Sequence, residues 1–481
     1  MSKERLFGTD GVRGVANREL TAKLALELGE AAGHWVTGVG VRVSGIGNAA
    51  NTGAIENPGA ESLRHPTPEP RPPFVIIGRD TRLSGDMLEA ALAAGLAAAG
   101  VDVVNVGVVP TPAVAQLVLA QGARAGVVIS ASHNPYEDNG IKFFGANGKK
   151  LPDRVEDEIE ALMRNLDALP KPTGGAIGRI SETRGPVAEY VSRLKATLAG
   201  EKPLAGLKLV LDCANGAAYE LAPQIFQEMG AEITLLFAEP DGVNINVDCG
   251  STHPAAMAAK VREVGANAGL AFDGDADRVM LADERGEIVN GDRMMAIIGL
   301  NLKRKGKLSG DVVVATIMSN VGLEQTLAAE GIRLHRTDVG DRYVAEAMDA
   351  LGAAIGGEQS GHILLPYATP TGDGMATALQ VLDVMRETGK SLSELAGVMR
   401  DGPQLLKNVR VQTRQGWRDD PDIQQAIAAG CKRLGSSEWL SVRASGTEPL
   451  IRVMAQGTDA DAVNTVVNDI CAVVERKLGR V

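Results

Sequence analysis

Two rhythms of apolar and polar positions alternate along the chain. Short β-branched runs are followed by Ala/Leu-rich stretches with helical spacing, and the order recurs. Residues 74–77 form such a run. After it come the polar segment GRDTR, an Ala/Leu-rich stretch over 85–99, a second run over 101–106, a helix after Pro112 and a third run over 125–129. This β–α–β–α–β order predicts a parallel sheet covered by helices. A second copy is expected at 208–211, 217–229, 232–236, a helix from Pro254, and 268–272. A third is expected at 312–316, a helix from Val321, 332–336, a helix after Gly340, and 353–355. The copies share the order of elements rather than letters, the mark of weak internal repeats. The tail differs. Strands at 439–443 and 450–455 and a helix at 459–477 suggest a small α+β domain.

Each copy ends in a polar, glycine-bearing or turn-forming segment: SASHNP (130–135), DGDADR (273–278) and GGEQSGH (356–362). Ligands of open α/β sheets bind beyond the carboxyl ends of the strands. The three segments are therefore expected to face one crevice. The reading is three related α/β domains with mixed, mostly parallel sheets and a smaller C-terminal α+β domain, arranged around a central cleft. The expected boundaries are 1–180, 181–290, 291–400 and 401–481. One segment breaks the pattern. Residues 38–73 are rich in Gly, Asn and Pro and lack periodicity, which reads as a flexible surface insertion.

Length agrees, since 481 residues suggest roughly three to four domains at ~150 each. A net charge of −11 argues against a nucleic-acid or anionic-membrane binder. Aromatics at 3% disfavour a stacking platform for single strands. No two of Cys213, Cys249, Cys431 and Cys471 have C-x-x-C spacing, so reduced thiols in a cytoplasmic protein are expected. The N-terminal residues lack a secretory apolar core, and no apolar run approaches the ~20 residues that span a bilayer.

DGDADR is the sharpest local signal. Asp273, Asp275 and Asp277 alternate, so an extended loop would aim three carboxylates the same way. Such charges repel unless a cation sits among them, and oxygen donors suit Mg²⁺ or Mn²⁺. An EF-hand is excluded although Glu284 falls at its twelfth position, because Arg278 stands where the turn needs Gly. SASHNP offers two serines at a strand end, where a hydroxyl is placed for nucleophilic attack. His133 beside them reads either as a proton shuttle or as a hydrogen-bonding group. A Ser-His-Asp hydrolase is disfavoured, because G-x-S-x-G is missing around either serine. RASGTEPLIR sets Arg443, Ser445, Gly446 and Thr447 in a turn with Arg452 nine residues on, which suits a phosphate dianion. It is not a Walker A loop. In GGEQSGH, Glu358, Gln359, Ser360 and His362 could hydrogen-bond a polyol or amino sugar.

Together, in this order, the four loops resemble the α-D-phosphohexomutase superfamily from end to end. FGTDGVRGVAN, GRDTRLSG, ISASHNPYEDNGIKFF, VGDRYV, GGEQSGHI and RASGTEPLIRVM carry the resemblance, and Gln359 suits its amino-sugar branch. The resemblance implies that Ser132, not Ser130, is the phosphorylated serine. Its oxygen would complete a Mg²⁺ shell, one ion per subunit, with the three aspartates. It implies that Glu358 and Ser360 hold the sugar, and that Arg443, Ser445, Gly446, Thr447 and Arg452 hold the distant phosphate. Arg13, His133, Lys142 and Arg278 would line the transfer site. The implied reaction interconverts glucosamine 6-phosphate and glucosamine 1-phosphate through a bisphosphate. A hexosamine or hexose 1,6-bisphosphate would be the activator, and the product would feed cell-wall precursor synthesis in a bacterial cytoplasm. A homodimer is compatible with the branch. The same fold also serves glucose and mannose phosphate mutases, the competing reading. The family usually passes directly from the first helix to the GRDTR strand, so 38–73 is a departure that spares every motif.

Overall fold

The computed structural model describes residues 5–8, 10–38, 72–445 and 449–479. Positions 39–71 of the expected insertion lie outside the described residues, as do Gly446 and Thr447.

The first unit runs β1 (Val12–Val15), α1 (Ala22–Thr37), β2 (Phe74–Arg79), α2 (Ser84–Ala98), β3 (Asp102–Val108), α3 (Thr111–Gln121), β4 (Ala125–Ile129), β5 (Asp138–Gly145), α4 (Asp153–Met163) and β6 (Ile180–Glu182). After α5 (Val187–Lys195) the second runs β7 (Lys208–Asp212), α6 (Leu221–Glu228), β8 (Glu232–Leu236), α7 (Ala255–Val264), β9 (Ala268–Phe272), β10 (Val279–Asp283) and β11 (Ile288–Val289). The third runs α8 (Gly291–Arg304), β12 (Val312–Thr316), α9 (Val321–Ala329), β13 (Arg333–Thr337), α10 (Asp341–Leu351), β14 (Gly356–Gly357), β15 (Ile363–Leu364), α11 (Gly374–Thr388) and α12 (Leu392–Ala396). The last comprises β16 (Gln404–Arg410), α13 (Pro421–Leu434), β17 (Leu440–Ala444), β18 (Leu450–Gln456) and α14 (Ala460–Leu478).

One plan underlies the first three sheets. The first strand of each repeat (β2, β7, β12) lies between its two parallel successors, and the third strand then pairs with an antiparallel fourth. SASHNP therefore joins β4 to β5, DGDADR joins β9 to β10, and the EQSGH segment joins β14 to β15. All three leave the carboxyl end of the third strand, as the repeats predict. The fourth sheet, β16-β18-β17, is antiparallel throughout. This is the mixed, mostly parallel α/β architecture with a smaller α+β domain.

One strand departs from expectation. Pairing in the third repeat falls on Gly356 and Gly357 rather than on 353–355. A Cβ on Gly357 would lie 2.6 Å from the His362 carbonyl oxygen, so the approach of β15 demands glycine. The strand therefore lacks the β-branched signature that marks its counterparts.

Burial divides the molecule differently from the sheets. One continuous core runs from Ile76 and Val114 through Tyr190, Leu209 and Phe272 to Val313 and Met375, so it joins the first three units. The C-terminal domain has its own core around Val409, Ile451, Val467 and Ile470. Among the described residues, no helix is long and apolar enough to cross a membrane.

Candidate active site

The loop over residues 130–135 is held from below before it meets anything else. Asp80 follows β2 and is wholly buried. Its carboxylate accepts from Arg82 N, from Arg82 Nε at 2.9 Å and from Ser130 Oγ at 2.6 Å. Ser130 Oγ in turn accepts from Ser132 N at 2.9 Å. The Arg82 guanidinium donates to the carbonyls of Ser132, Asn134, Pro135 and Asp138. Asn246 of the second domain adds a further bond to the Ser132 carbonyl at 2.9 Å. These donors hold Ser132 in the left-handed region, φ 53°, which an L-residue reaches only under constraint. Ser130 is thus a strut, and Ser132 is the serine presented to the aspartates.

Ser132 Oγ donates to Asp273 Oδ2 at 2.6 Å and lies 3.2 Å from His133 Nδ1. Asp273, Asp275 and Asp277 each offer an oxygen, all within 4.8 Å of one another, and all three side chains are buried. The convergence does not come from an extended loop. Ala276 adopts φ 57° and its N–H bonds back to the Asp273 carbonyl, so a turn gathers the carboxylates. The Thr111 hydroxyl at the start of α3 donates to Asp275 Oδ2 at 2.7 Å, tying this turn to the first domain.

Charge explains the rest of the cluster. Lys142, on β5 and 2% exposed, lies 3.0 Å from Asp275 Oδ2 and 3.2 Å from Asp10 Oδ2. Burial alone would raise the Asp275 carboxyl, but Lys142 and the Thr111 hydroxyl outweigh it and hold the group low. Burial together with Asp277 and Asp275 holds Asp273 well above the usual carboxylate range. Burial and Asp275 likewise raise Asp277. Asp275 Oδ1 and Asp277 Oδ1 are buried without a hydrogen-bond partner. Crowded oxygens with open lone pairs and too little neighbouring positive charge fit an oxygen-liganded divalent cation. Glu284 accepts from Ser393 instead, away from this cluster, which agrees with the exclusion of an EF-hand.

The remaining transfer-site residues converge. Arg13 on β1 pairs with Asp10 and stands opposite Gly140 of β5. Arg278 Nε lies 3.7 Å from Asp277 Oδ1, and the Arg278 backbone N–H donates to Asp273 Oδ1. Burial, then Arg278 and Arg13, push the His133 imidazole down to about 4. Lys150 bonds both Asp10 and, at 2.7 Å, Asp341 of the VGDRYV motif, so an ionic chain links the first domain to the third. Asp10, Asp80, Arg82, Thr111 and Asn246 are site residues that sequence reasoning did not single out. The GRDTRLSG motif was the available signal for Asp80 and Arg82.

Glu358 and Ser360 stand at the mouth of the third loop, with Ser360 Oγ 3.4 Å from Glu358 Oε2. His362 is buried, with Nε2 3.7 Å from Asp277 Oδ2, which joins this loop to the aspartate turn. Arg443 and Arg452 are direct partners on β17 and β18, so their side chains share one face. Burial and Arg452 lower the Arg443 guanidinium, while Glu358 of the third loop partly offsets them. Like charges opposite each other are unfavourable unless an anion joins them, which suits a phosphate. Ser445 is buried beside them, and Arg414 donates to its carbonyl.

Comparison with known proteins agrees with this geometry. The descriptions "Phosphoglucomutase/phosphomannomutase, alpha/beta/alpha domain" I, II and III fit residues 39–169, 188–286 and 290–401, and the matching C-terminal domain fits 406–473. A phosphoglucomutase/phosphomannomutase family protein from Burkholderia thailandensis superposes with a TM-score of 0.77 at 25% identity, covering 100% of this chain and 99% of that one. Phosphoglucosamine mutase from Desulforudis audaxviator is 50% identical over 98% of this chain and 97% of its own length. The enzyme of that name from Carboxydothermus hydrogenoformans is 50% identical over 98% of this chain and 99% of its own length. With half its residues shared along nearly its whole length, this chain belongs to the phosphoglucosamine mutase family of phosphoryl-transferring isomerases.

Proposed function

We propose that the chain interconverts glucosamine 6-phosphate and glucosamine 1-phosphate through a phosphorylated Ser132. The observation that carries this reading is the Ser132 hydroxyl standing 2.6 Å from Asp273 inside a buried aspartate cluster. In the forward direction the bond between Ser132 Oγ and phosphorus breaks as the sugar O1 forms its own bond to phosphorus. The O1 proton leaves to a neighbouring base. His133, neutral at neutral pH and beside Ser132, is the group we assign to proton transfer at this position. The bisphosphate then turns over, the bond between O6 and phosphorus breaks as Ser132 Oγ forms its own, the proton that Oγ gives up is returned to O6, and glucosamine 1-phosphate is released.

Asp273, Asp275 and Asp277, joined by an oxygen of phospho-Ser132, would hold one Mg²⁺ per subunit. Bound there, the ion neutralises charge on the transferring phosphoryl group. The chain's own residues do the positioning that phosphoryl transfer chiefly needs. Lys142, Arg13 and Arg278 surround the transferring group with positive charge. Glu358 and Ser360 hold the sugar hydroxyls. Arg443, Ser445, Gly446, Thr447 and Arg452 anchor the phosphate that is not reacting, at either end of the sugar. A hexosamine or hexose 1,6-bisphosphate would phosphorylate Ser132 and activate the enzyme. We read the domain limits as 1–180, 181–290, 291–400 and 401–481, with β6 (Ile180–Glu182) carrying the first sheet just across the first limit. The setting is a bacterial cytoplasm, with the product bound for UDP-N-acetylglucosamine and the cell wall, and a homodimer is the assembly we would look for.

The test is turnover of glucosamine 6-phosphate, glucose 6-phosphate and mannose 6-phosphate in separate reactions, each with Mg²⁺ and a trace of bisphosphate. The reading expects the highest kcat/KM for glucosamine 6-phosphate. A hexose phosphate in first place would keep the mechanism and overturn the substrate.

A further inference from the structure

A chain of buried and partly buried hydrogen bonds ties the sugar loop to the link that leads into the C-terminal domain. Gln359 lies between Glu358 and Ser360, yet its Nε2 donates at 2.9 Å to Oδ2 of the wholly buried Asp292, in the first turn of α8. The Gln359 carbonyl accepts from Gly291 N at 3.0 Å. A Cβ on Gly291 would lie 2.0 Å from the Glu358 carbonyl oxygen, so loop and helix start are in direct backbone contact. The same Asp292 oxygen accepts from Asn320 N at 2.8 Å. Asn320 exchanges two bonds with Gly402, donating Nδ2 to its carbonyl at 3.0 Å and accepting its N–H at 2.8 Å. Gln456 accepts from Val321 N at 2.6 Å and donates to the Ser319 carbonyl at 2.9 Å. Gly402 lies in the link before β16, and Gln456 ends β18, the strand that carries Arg452.

We infer that Gln359 and Asp292 are positioning residues that couple the seating of Glu358 and Ser360 to the placement of Arg443 and Arg452 in the C-terminal domain. The inference deepens the proposed function and rests on its assignment of those four residues to sugar and phosphate. Its physical basis is that one buried carboxylate oxygen receives both the loop's amide and the N–H of Asn320, whose side chain in turn holds Gly402. Removing either donor leaves a desolvated acceptor short of a partner, so the two elements adjust together.

The test uses the full chain. Gln359→Leu keeps the side chain's bulk and deletes the donor. Gln359→Asn, too short to reach Asp292, is the second variant in case the first fails to fold. Asp292→Asn keeps an oxygen for both bonds and serves as the conservative rescue. Hydrogen exchange without ligand is read over 318–323 and 402–404, alongside steady-state kinetics. For the Gln359 variants the inference expects about tenfold faster exchange in both segments. It also expects about a tenfold rise in KM for glucosamine 6-phosphate with kcat within about twofold. Asp292→Asn should stay within about twofold of wild type in every readout. Unchanged exchange at 402–404 in both Gln359 variants overturns the inference, whatever KM does. A wild type that does not convert glucosamine 6-phosphate overturns the proposed function instead, and the exchange data still decide the coupling.

Discussion

Arg82 commits its guanidinium to the loop that carries Ser132. Its five N–H donors are matched to Asp80 and four loop carbonyls, and it is almost wholly buried. Lysine brings three donors without the planar fork. Arg82→Lys should therefore lower kcat about 10²-fold by letting Ser132 drift, with the overall fold retained. Phosphate occupancy of Ser132 measured beside kcat checks this, and normal kcat contradicts it. His133 makes a pH prediction. Its folded-state value of about 4 lies below the ordinary 6.5, so the unfolded chain takes up its proton first as pH falls. The stability this contributes is complete above about 6.5 and is lost as pH falls toward 4. In the metal-free protein, His133→Gln should lose less stability than wild type between pH 7 and 5, by about 1–2 kcal/mol. Parallel urea curves at the two pH values decide it. The aspartates were legible at this scale because i, i+2, i+4 carboxylates demand a reason wherever they occur. Arg82 and Asp80 were not, because they serve backbone carbonyls that only the folded loop brings together.

At the scale of elements, the parallel strands and their helices could be read from apolar rhythm, and so could the loops that follow each third strand. β5 escaped notice, and β14 falls later than the expected 353–355. β5 is punctuated by Asn139, Gly140 and Lys142, the last of which enters the aspartate cluster, so its polar positions read as motif rather than strand. β14 is two glycines and carries no side-chain pattern at all. An extended aspartate loop was one way to converge the carboxylates, and local sequence could not reveal that Ala276 would turn it instead. The contact between α8 and the sugar loop yields a sharp expectation. In Gly291→Ala the new methyl must displace the Glu358 carbonyl, so stability should fall by about 1–3 kcal/mol and KM for the sugar phosphate should rise. Thermal unfolding and saturation kinetics measure both, and a variant indistinguishable from wild type would refute the contact.

Over the whole molecule, one apolar core runs through the first three domains, whereas the core of the C-terminal domain stays within it. That domain meets the third through polar contacts, including Trp439 Nε1 to Glu324 at 3.0 Å and Gln404 Nε2 to the Met318 carbonyl at 2.9 Å. Polar interfaces open at lower cost than apolar ones. The C-terminal domain is thus the part expected to move when the sugar phosphate binds, closing the cleft against water. Small-angle scattering should record a smaller radius of gyration with a bound bisphosphate, and an unchanged radius would contradict closure. Chelation should abolish turnover, and Mg²⁺ should restore it. The account as a whole rests on one atom, Ser132 Oγ. The direct measurement is the site of phosphate on enzyme quenched during turnover of glucosamine 6-phosphate, read by peptide mass mapping with Ser132→Ala in parallel. The account predicts phosphate on Ser132 in the wild type and an inactive variant without it. Phosphate on Ser130, or undiminished turnover by Ser132→Ala, would contradict it.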